Sequence, residues 1–401
     1  MPKVQSLITH KKNKILYNII MEDKVKFNEL MTEIFGTDWK DVKTDGSTNN
    51  FIGALNDPSN YDFFKSCFRT MVTDLKELYK GNIEETRKLI NTIREVSNEK
   101  NCYGAYSELC ALHLLNLPDL PIITTDNSLS ASESFASVLG HTSETNMDGY
   151  ISDIGLYFDT KALRDTITPQ LKNVTDKALK ELKDSKILDT DTQPSIQYQF
   201  PYSESEEFVK QDFEELVMEF ISKFAKGTEY ISSDLIPNLT YILNWGGVTS
   251  SVSSYSPFER AENLVEPFFV RYANKFLLEK PFMLVMVNHP WFNQIDSDSF
   301  GYNEILYRAL SRRIFMQFRS NNKKMSEINS KFQGNDTIDD VSKCLSGIMF
   351  IDVHSAVDKG YPYNWYIYAN PRANKPIRLF PYFDSLQKGN GHIDDFSHDN
   401  Y

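Results

Sequence analysis

Apolar residues recur at three- and four-residue spacing through most of the first hundred positions. The runs ILYNIIMEDKVKFNELMTEIF, YDFFKSCFRTMVTDLKELYK and IEETRKLINTIREVS therefore read as amphipathic helices. Between the first two, GTDWKDVKTDGSTNN is a loop by its Gly, Asp, Ser and Asn content. A further helix, YGAYSELCALHLLNL, is stopped by Pro118. LPIITT then reads as a short strand, and residues 126–145 as a Ser-rich loop. After that the pattern changes. MDGYI and LYFDTKAL are two β-rich runs joined by the turn-like tetrapeptide SDIG.

Helical spacing returns in LKNVTDKALKELKDSKI and in SEEFVKQDFEELVMEFISKFAKG. In the latter, Phe213, Leu216, Val217, Phe220, Ile221 and Phe224 form one apolar stripe. SPFERAENLVEPFFVRYANKFLLEK is a helix expected to break near Pro267. The remainder alternates between a strand at 282–288 (FMLVMVN), a helix at 303–320, and strands at 347–353 (GIMFIDV) and 365–370 (WYIYAN). Continuous apolar strands separated by helices predict an α/β sheet covered on both faces. The expected organisation is a helical N-terminal region over 1–95 and an α/β domain over 96–380. That domain carries a helical insertion at about 165–280, and 381–401 forms a frayed tail.

The totals narrow the function. With 41% apolar and 13% aromatic residues over 401 positions, the chain can bury a sizeable core. Its four cysteines form no CxxC pair, which points to a reducing compartment and away from structural zinc. Cys110 and His113 share a helix face, but no further ligands stand nearby, so both read as packing residues. The N-terminus lacks the apolar core of a secretory signal. The longest apolar run, PFMLVMV, is far short of the roughly 20 residues that span a bilayer. A cytoplasmic protein with no membrane partner is expected. The net charge of −12 is unlike that of most proteins that grip nucleic acid over their whole surface. Any nucleic acid must be held by a local patch, or with a partner's help.

The β-rich pair raises a sharper question, because it places Asp148, Asp159 and Lys161 among core-like residues. A turn centred between Asp153 and Ile154 sets Asp148 opposite Asp159, with Cβ atoms about 5 Å apart. Alternation along the strand puts Lys161 on the face of Asp159. Opposed like charges destabilise a hairpin unless something positive lies between them. A hard divalent cation with an ammonium beside it resolves the conflict.

Asp followed ten residues later by Asp-x-Lys resembles the PD-(D/E)xK, or restriction-endonuclease-like, nuclease superfamily. FDTKAL is similar to the metal-binding strand of type IIS restriction cleavage domains. The resemblance implies an α/β fold with a mixed sheet flanked by helices. It also implies a Mg²⁺-dependent endonuclease (Mn²⁺ as a substitute) that hydrolyses DNA phosphodiesters, in restriction or anti-phage defence. By position, Asp148 and Asp159 would hold the metal and Lys161 would orient or activate the attacking water. Glu108 fits the glutamate that many members add from the preceding helix, since it shares a face with Ala105, Leu112 and Leu115. Met147 stands where the family often has proline, and Asp159 where glutamate is commoner. The resemblance covers about residues 100–163. It allows a partner protein for recognition or activation, and a homo-oligomer. The alternative is a non-catalytic DNA-binding or assembly subunit that retains the fold.

Acid-x-Lys alone carries nothing, since it also occurs at 22–24, 38–40, 41–43, 74–76, 181–183 and 184–186. Only 159–161 lies on an apolar strand behind a helix with an inward glutamate. For DNA contact, Arg308, Arg312 and Arg319 fall within about 40° of one another on a continuous helix and form a basic ridge. A solvated cationic face is the competing reading. Arg372, Lys375 and Arg378 form a weaker basic group. His289 and His354 end strands without a nucleophile nearby and read as packing or capping residues. No Walker loop or GxGxxG is present.

Overall fold

The computed structural model describes residues 26–36, 50–57, 59–98, 100–116, 122–124, 146–164, 167–188, 194–199, 212–245, 256–291, 302–330, 332–353, 363–378, 382–386 and 388–399. His354, the Ser-rich stretch 126–145 and the first 25 residues of the expected N-terminal region lie outside the described residues. The chain forms two compact units, one of Met1–Leu163, Tyr272–Phe292 and Phe318–Tyr401, the other of Arg164–Arg271 and Asn293–Gln317.

The first unit is built on a seven-stranded mixed sheet of order β1-β2-β3-β7-β8-β9-β10. Its strands are β1 (Ile123–Thr124), β2 (Gly149–Ile151), β3 (Leu156–Ala162), β7 (Phe282–Asn288), β8 (Gly347–Val353), β9 (Tyr363–Ala369) and β10 (Asn390–Asp394). β3, β7 and β8 run parallel, while β2 and β9 are antiparallel to their inner neighbours. Every residue of β7 and β8 is buried, which is why these two strands read as unbroken apolar runs. This is the α/β class that the sequence pattern predicts.

Helix α1 (residues 26–35) is followed by α2 (Asn50–Asn56), α3 (Asp62–Tyr79), α4 (Ile83–Glu95) and α5 (Cys102–Leu115). Their buried faces share one hydrophobic core with the strands, from Met31 and Phe68 through Leu109 to Phe158, Val285 and Ile351. The boundary expected at residue 95 therefore separates nothing. Asn82 caps α4 by accepting the N–H groups of Glu84 and Glu85. α5 is buried nearly all round, the pattern of a helix inside a core rather than on its surface.

The tail corrects a second expectation. Instead of fraying, β10 pairs in parallel with β9 over Asn390–Asp394. Glycine makes this approach feasible, since a Cβ on Gly391 would sit 1.8 Å from the Trp365 ring.

The second unit holds a three-stranded antiparallel sheet of order β4-β6-β5, made of β4 (Ser195–Gln199), β5 (Tyr230–Ser232) and β6 (Thr240–Asn244). Against it pack α6 (Ile167–Asp184) and α7 (Phe213–Lys223), around Leu179, Leu216, Phe220 and Tyr241. The expected insertion is thus α+β rather than purely helical. The stripe on α7 is buried at Leu216, Val217 and Phe220, as its spacing predicts. α8 (Pro257–Tyr272) continues through Pro267, forgoing one backbone bond instead of breaking.

α9 (Tyr302–Arg312) ends earlier than expected and passes into a π-helical turn at Arg313–Gln317. A wider π turn breaks the 100° spacing. Arg319 consequently does not continue the helix face of Arg308 and Arg312, and it belongs to the other unit. The three-arginine ridge is not formed as one helical face. Within the weaker group, Arg372 pairs with Asp339, and Lys375 with Glu279 at 3.1 Å.

A candidate charged site on the central hairpin

The hairpin takes the register that its turn implies. Gly149 lies opposite Phe158, Tyr150 opposite Tyr157 and Ile151 opposite Leu156. Gly155 at the turn has φ +65°, the left-handed conformation that glycine adopts at little cost. Gly149 is needed for another reason, because a Cβ there would meet the Phe158 ring at 2.3 Å.

The backbone ladder stops one pair short of the two aspartates. Asp148 still donates its N–H to the Phe158 carbonyl at 3.1 Å, but its carboxylate Oδ2 takes the N–H of Thr160 at 2.6 Å. A side chain thus replaces the carbonyl that would have continued the ladder. This fixes the Asp148 carboxylate beside β3, near Asp159.

Asp159 is 1% exposed, in the middle of β3. Its Oδ2 lies 2.5 Å from the Lys161 ammonium, a close ion pair on the buried carboxylate. Lys161 also donates to the Thr160 carbonyl at 3.0 Å. The ion pair confirms that Asp159 and Lys161 share a face of the strand.

Glu108 enters from α5, with Ala105, Leu112 and Leu115 buried on its helix face as the spacing predicts. Thr92 of α4 donates to its Oε1 at 3.4 Å. Burial, then the charge of Asp148, pushes the Glu108 carboxyl up to about 8. Burial, then the charge of Asp159, pushes Asp148 up to about 6. Lys161 is pulled down by burial, but the charges of Asp159 and Asp148 outweigh this and raise it above its ordinary value. The three carboxyl groups thus feel one another, and the ammonium is held protonated among them.

One participant has no signal in the sequence. Lys275, in the 3₁₀ turn Ala273–Lys275 before β7, lies 3.8 Å from Asp159 Oδ1 and donates to the Asn146 carbonyl at 3.0 Å. It is separated from the hairpin by more than a hundred residues, and only the fold brings it in. His289 has the capping role its position suggests, because its Nδ1 accepts the Trp291 N–H at 3.1 Å. His113 is buried between the Tyr363 hydroxyl and Asp74 Oδ2, each at 3.0 Å, which matches its reading as a packing residue.

Among the described residues, no group of three or more His, Cys, Asp or Glu side chains is arranged to hold a metal ion. Two carboxylates suffice for some ions, since Mg²⁺ commonly takes one or two from the protein and fills its remaining positions with water and phosphate oxygens. The buried Asp159 carboxylate beside that of Asp148 fits that donor set. Arg308 and Arg312 belong to the second unit, and Arg319 to the first. Among the described residues, no helix is long and apolar enough to cross a membrane. Compared with protein-family models, curated proteins and solved structures, the chain matches none of them.

The raised carboxyls give stability a pH dependence that can be measured. Glu108 and Asp148 bind protons in the folded state at pH values where the unfolded chain has released them. Stability is then full below the ordinary carboxyl range and falls as pH rises towards about 8, for Glu108 by up to about 1.4 kcal/mol per pH unit at the steepest. Glu108→Gln mimics the protonated form, so it should flatten this fall and be more stable than the native chain at pH 9. Denaturant unfolding in EDTA at pH 5, 7 and 9 measures this. Parallel curves for the two proteins would remove burial of Glu108 as the cause.

Proposed function

We propose that the protein is a metal-dependent endonuclease of restriction-endonuclease-like fold that hydrolyses DNA phosphodiesters. The observation that carries the reading is the buried Asp159 carboxylate, held beside Asp148 and between two lysine ammoniums. A purely structural ion pair has no use for a second carboxylate steered to the same place by a backbone N–H. The order of elements supports it as well: a helix with an inward glutamate, then a hairpin with one aspartate on each strand, then parallel strands in a mixed sheet.

In this reading Asp148 and Asp159 hold Mg²⁺, with Mn²⁺ as a substitute, and Glu108 completes or tunes the set. When bound, the ion supplies Lewis-acid stabilisation of charge on the phosphoryl group. Lys161 sits on the same face, orients the attacking water and answers the negative charge that develops on phosphate oxygens. Burial holds the Glu108 carboxyl up at about 8, so a cation bound there would have to displace its proton. The −12 net charge fits a protein that receives DNA through a local patch or through a partner protein. A role in restriction or anti-phage defence, in a cytoplasmic setting, follows from the family resemblance.

The test is incubation of plasmid and linear duplex DNA with the purified protein in Mg²⁺, in Mn²⁺ and in EDTA. Strand breaks with either metal and none in EDTA support the reading. DNA binding without cleavage under all conditions would favour the non-catalytic subunit instead.

A further inference from the structure

We propose that Lys275 is a second phosphate-binding cation of this site, reaching the DNA phosphodiester from the Oδ1 side of Asp159; the inference rests on the nuclease reading above. Asp159 needs one counter-ion, and Lys161 provides it at 2.5 Å from Oδ2. At 3.8 Å from Oδ1, Lys275 is beyond hydrogen-bond reach and adds a through-space charge. Of its three N–H donors, one goes to the Asn146 carbonyl at 3.0 Å. Its side chain is 26% exposed, while Asp159 is 1% exposed, so the ammonium stands at the boundary between the buried carboxylate and solvent.

The base of the side chain is fixed. Ala273 and Phe276, two residues before and one after, are both fully buried, and the Phe276 ring lies 5.9 Å from that of Phe282 at the start of β7. The anchoring carbonyl belongs to Asn146, two residues before Asp148, so Lys275 is tied to the same hairpin that carries the aspartates.

Charge balance gives the reason for two lysines. The charges of Asp148 and Asp159 are matched by those of Lys161 and Lys275, so these four groups sum to zero. A divalent cation on the same carboxylates would then leave an excess of positive charge, which an anionic phosphodiester answers. A compact ammonium with unused donors on a flexible stem suits such a contact, as a point charge rather than a planar fork.

The experiment compares native protein with Lys275→Gln and Lys275→Arg. Gln keeps a donor for the Asn146 carbonyl but removes the charge; Arg keeps the charge. Binding of a fluorescein-labelled DNA duplex is followed by anisotropy in Ca²⁺ over a range of NaCl concentrations, together with thermal unfolding. Lys275→Gln should weaken binding about tenfold and lower the slope of log K against log salt by about 0.9. Its melting temperature should be unchanged, and Lys275→Arg should bind within about threefold of native. Gln with native affinity and native slope overturns the proposal. So does a Gln variant whose weaker binding is accompanied by lower melting temperature and an unchanged slope, since that marks a structural tie. If the native protein cleaves DNA but Gln is indistinguishable from it, only the Lys275 inference falls. If the native protein neither binds nor cleaves DNA, both fall.

Discussion

Asp159→Asn is expected to reduce cleavage by on the order of 10³-fold or more while leaving the fold intact, because it removes a charged ligand and keeps its shape. The alternative role for Asp159 predicts the opposite pair of results. If Asp159 only neutralised Lys161, its loss would leave an ammonium without its counter-charge, and breaking a buried pair costs about 3–5 kcal/mol. Here that cost is escaped. The Lys161 side chain is 31% exposed, keeps its bond to the Thr160 carbonyl, and retains Asp148 nearby. Asp148 in turn loses the repulsion of Asp159, which is the second cause of its raised pKa after burial. Gains and losses in stability therefore nearly cancel, and the expected shift in melting temperature is a few degrees at most. A cleavage time course and a thermal scan on the same preparation read both. Native activity in Asp159→Asn would end the site assignment, and a collapse of the fold would make the pair structural.

The sequence carried the hairpin to its register because two independent patterns agreed there. The period-2 apolar runs fixed which residues face the core, and a short turn with Gly155 fixed which residues oppose. β7 and β8 were equally legible, since strands buried on both faces leave an unbroken apolar run. Weaker patterns failed for physical reasons. Ser195–Gln199 is at most partly buried, so nothing in its hydropathy marks it as a strand until β6 pairs with it. β10 is largely exposed and polar, and its pairing depends on the room that Gly391 leaves for Trp365. The basic ridge rested on uniform helical geometry through residue 319, and a π turn is invisible to a fixed 100° step. Lys275 carries no such pattern, because what brings it to Asp159 is a contact across the fold. The period-2 pattern implies a regular cross-strand pair of Asp148 with Asp159, whereas the Asp148 carboxylate is held by the Thr160 N–H beyond the end of the ladder.

Lys161→Ala is expected to keep metal affinity and lose most turnover, on the order of 10²-fold or more. An ammonium cannot ligate a cation, so a lysine beside two carboxylates either neutralises them or serves another reactant. Its position allows both, with Nζ 2.5 Å from Asp159 Oδ2 and bonded to the Thr160 carbonyl. Removing it takes a close counter-charge from Asp159 Oδ2 and removes a positive neighbour that lowers the pKa of both Asp148 and Glu108. Two effects on metal binding follow. The carboxylates become more attractive to a cation, while their protons become harder to displace. Well above pH 8, where the carboxyls are ionised even without Lys161, the second effect fades, so Mg²⁺ should there bind Lys161→Ala at least as tightly as the native protein. At pH 6 the variant should bind it more weakly. Calorimetric titration with Mg²⁺ at both pH values, beside cleavage at saturating metal, separates the roles. Tight binding with lost chemistry at high pH makes Lys161 the group that serves water and phosphate. Weak binding there, with native cleavage per bound metal, would make it a structural neutraliser of Asp159.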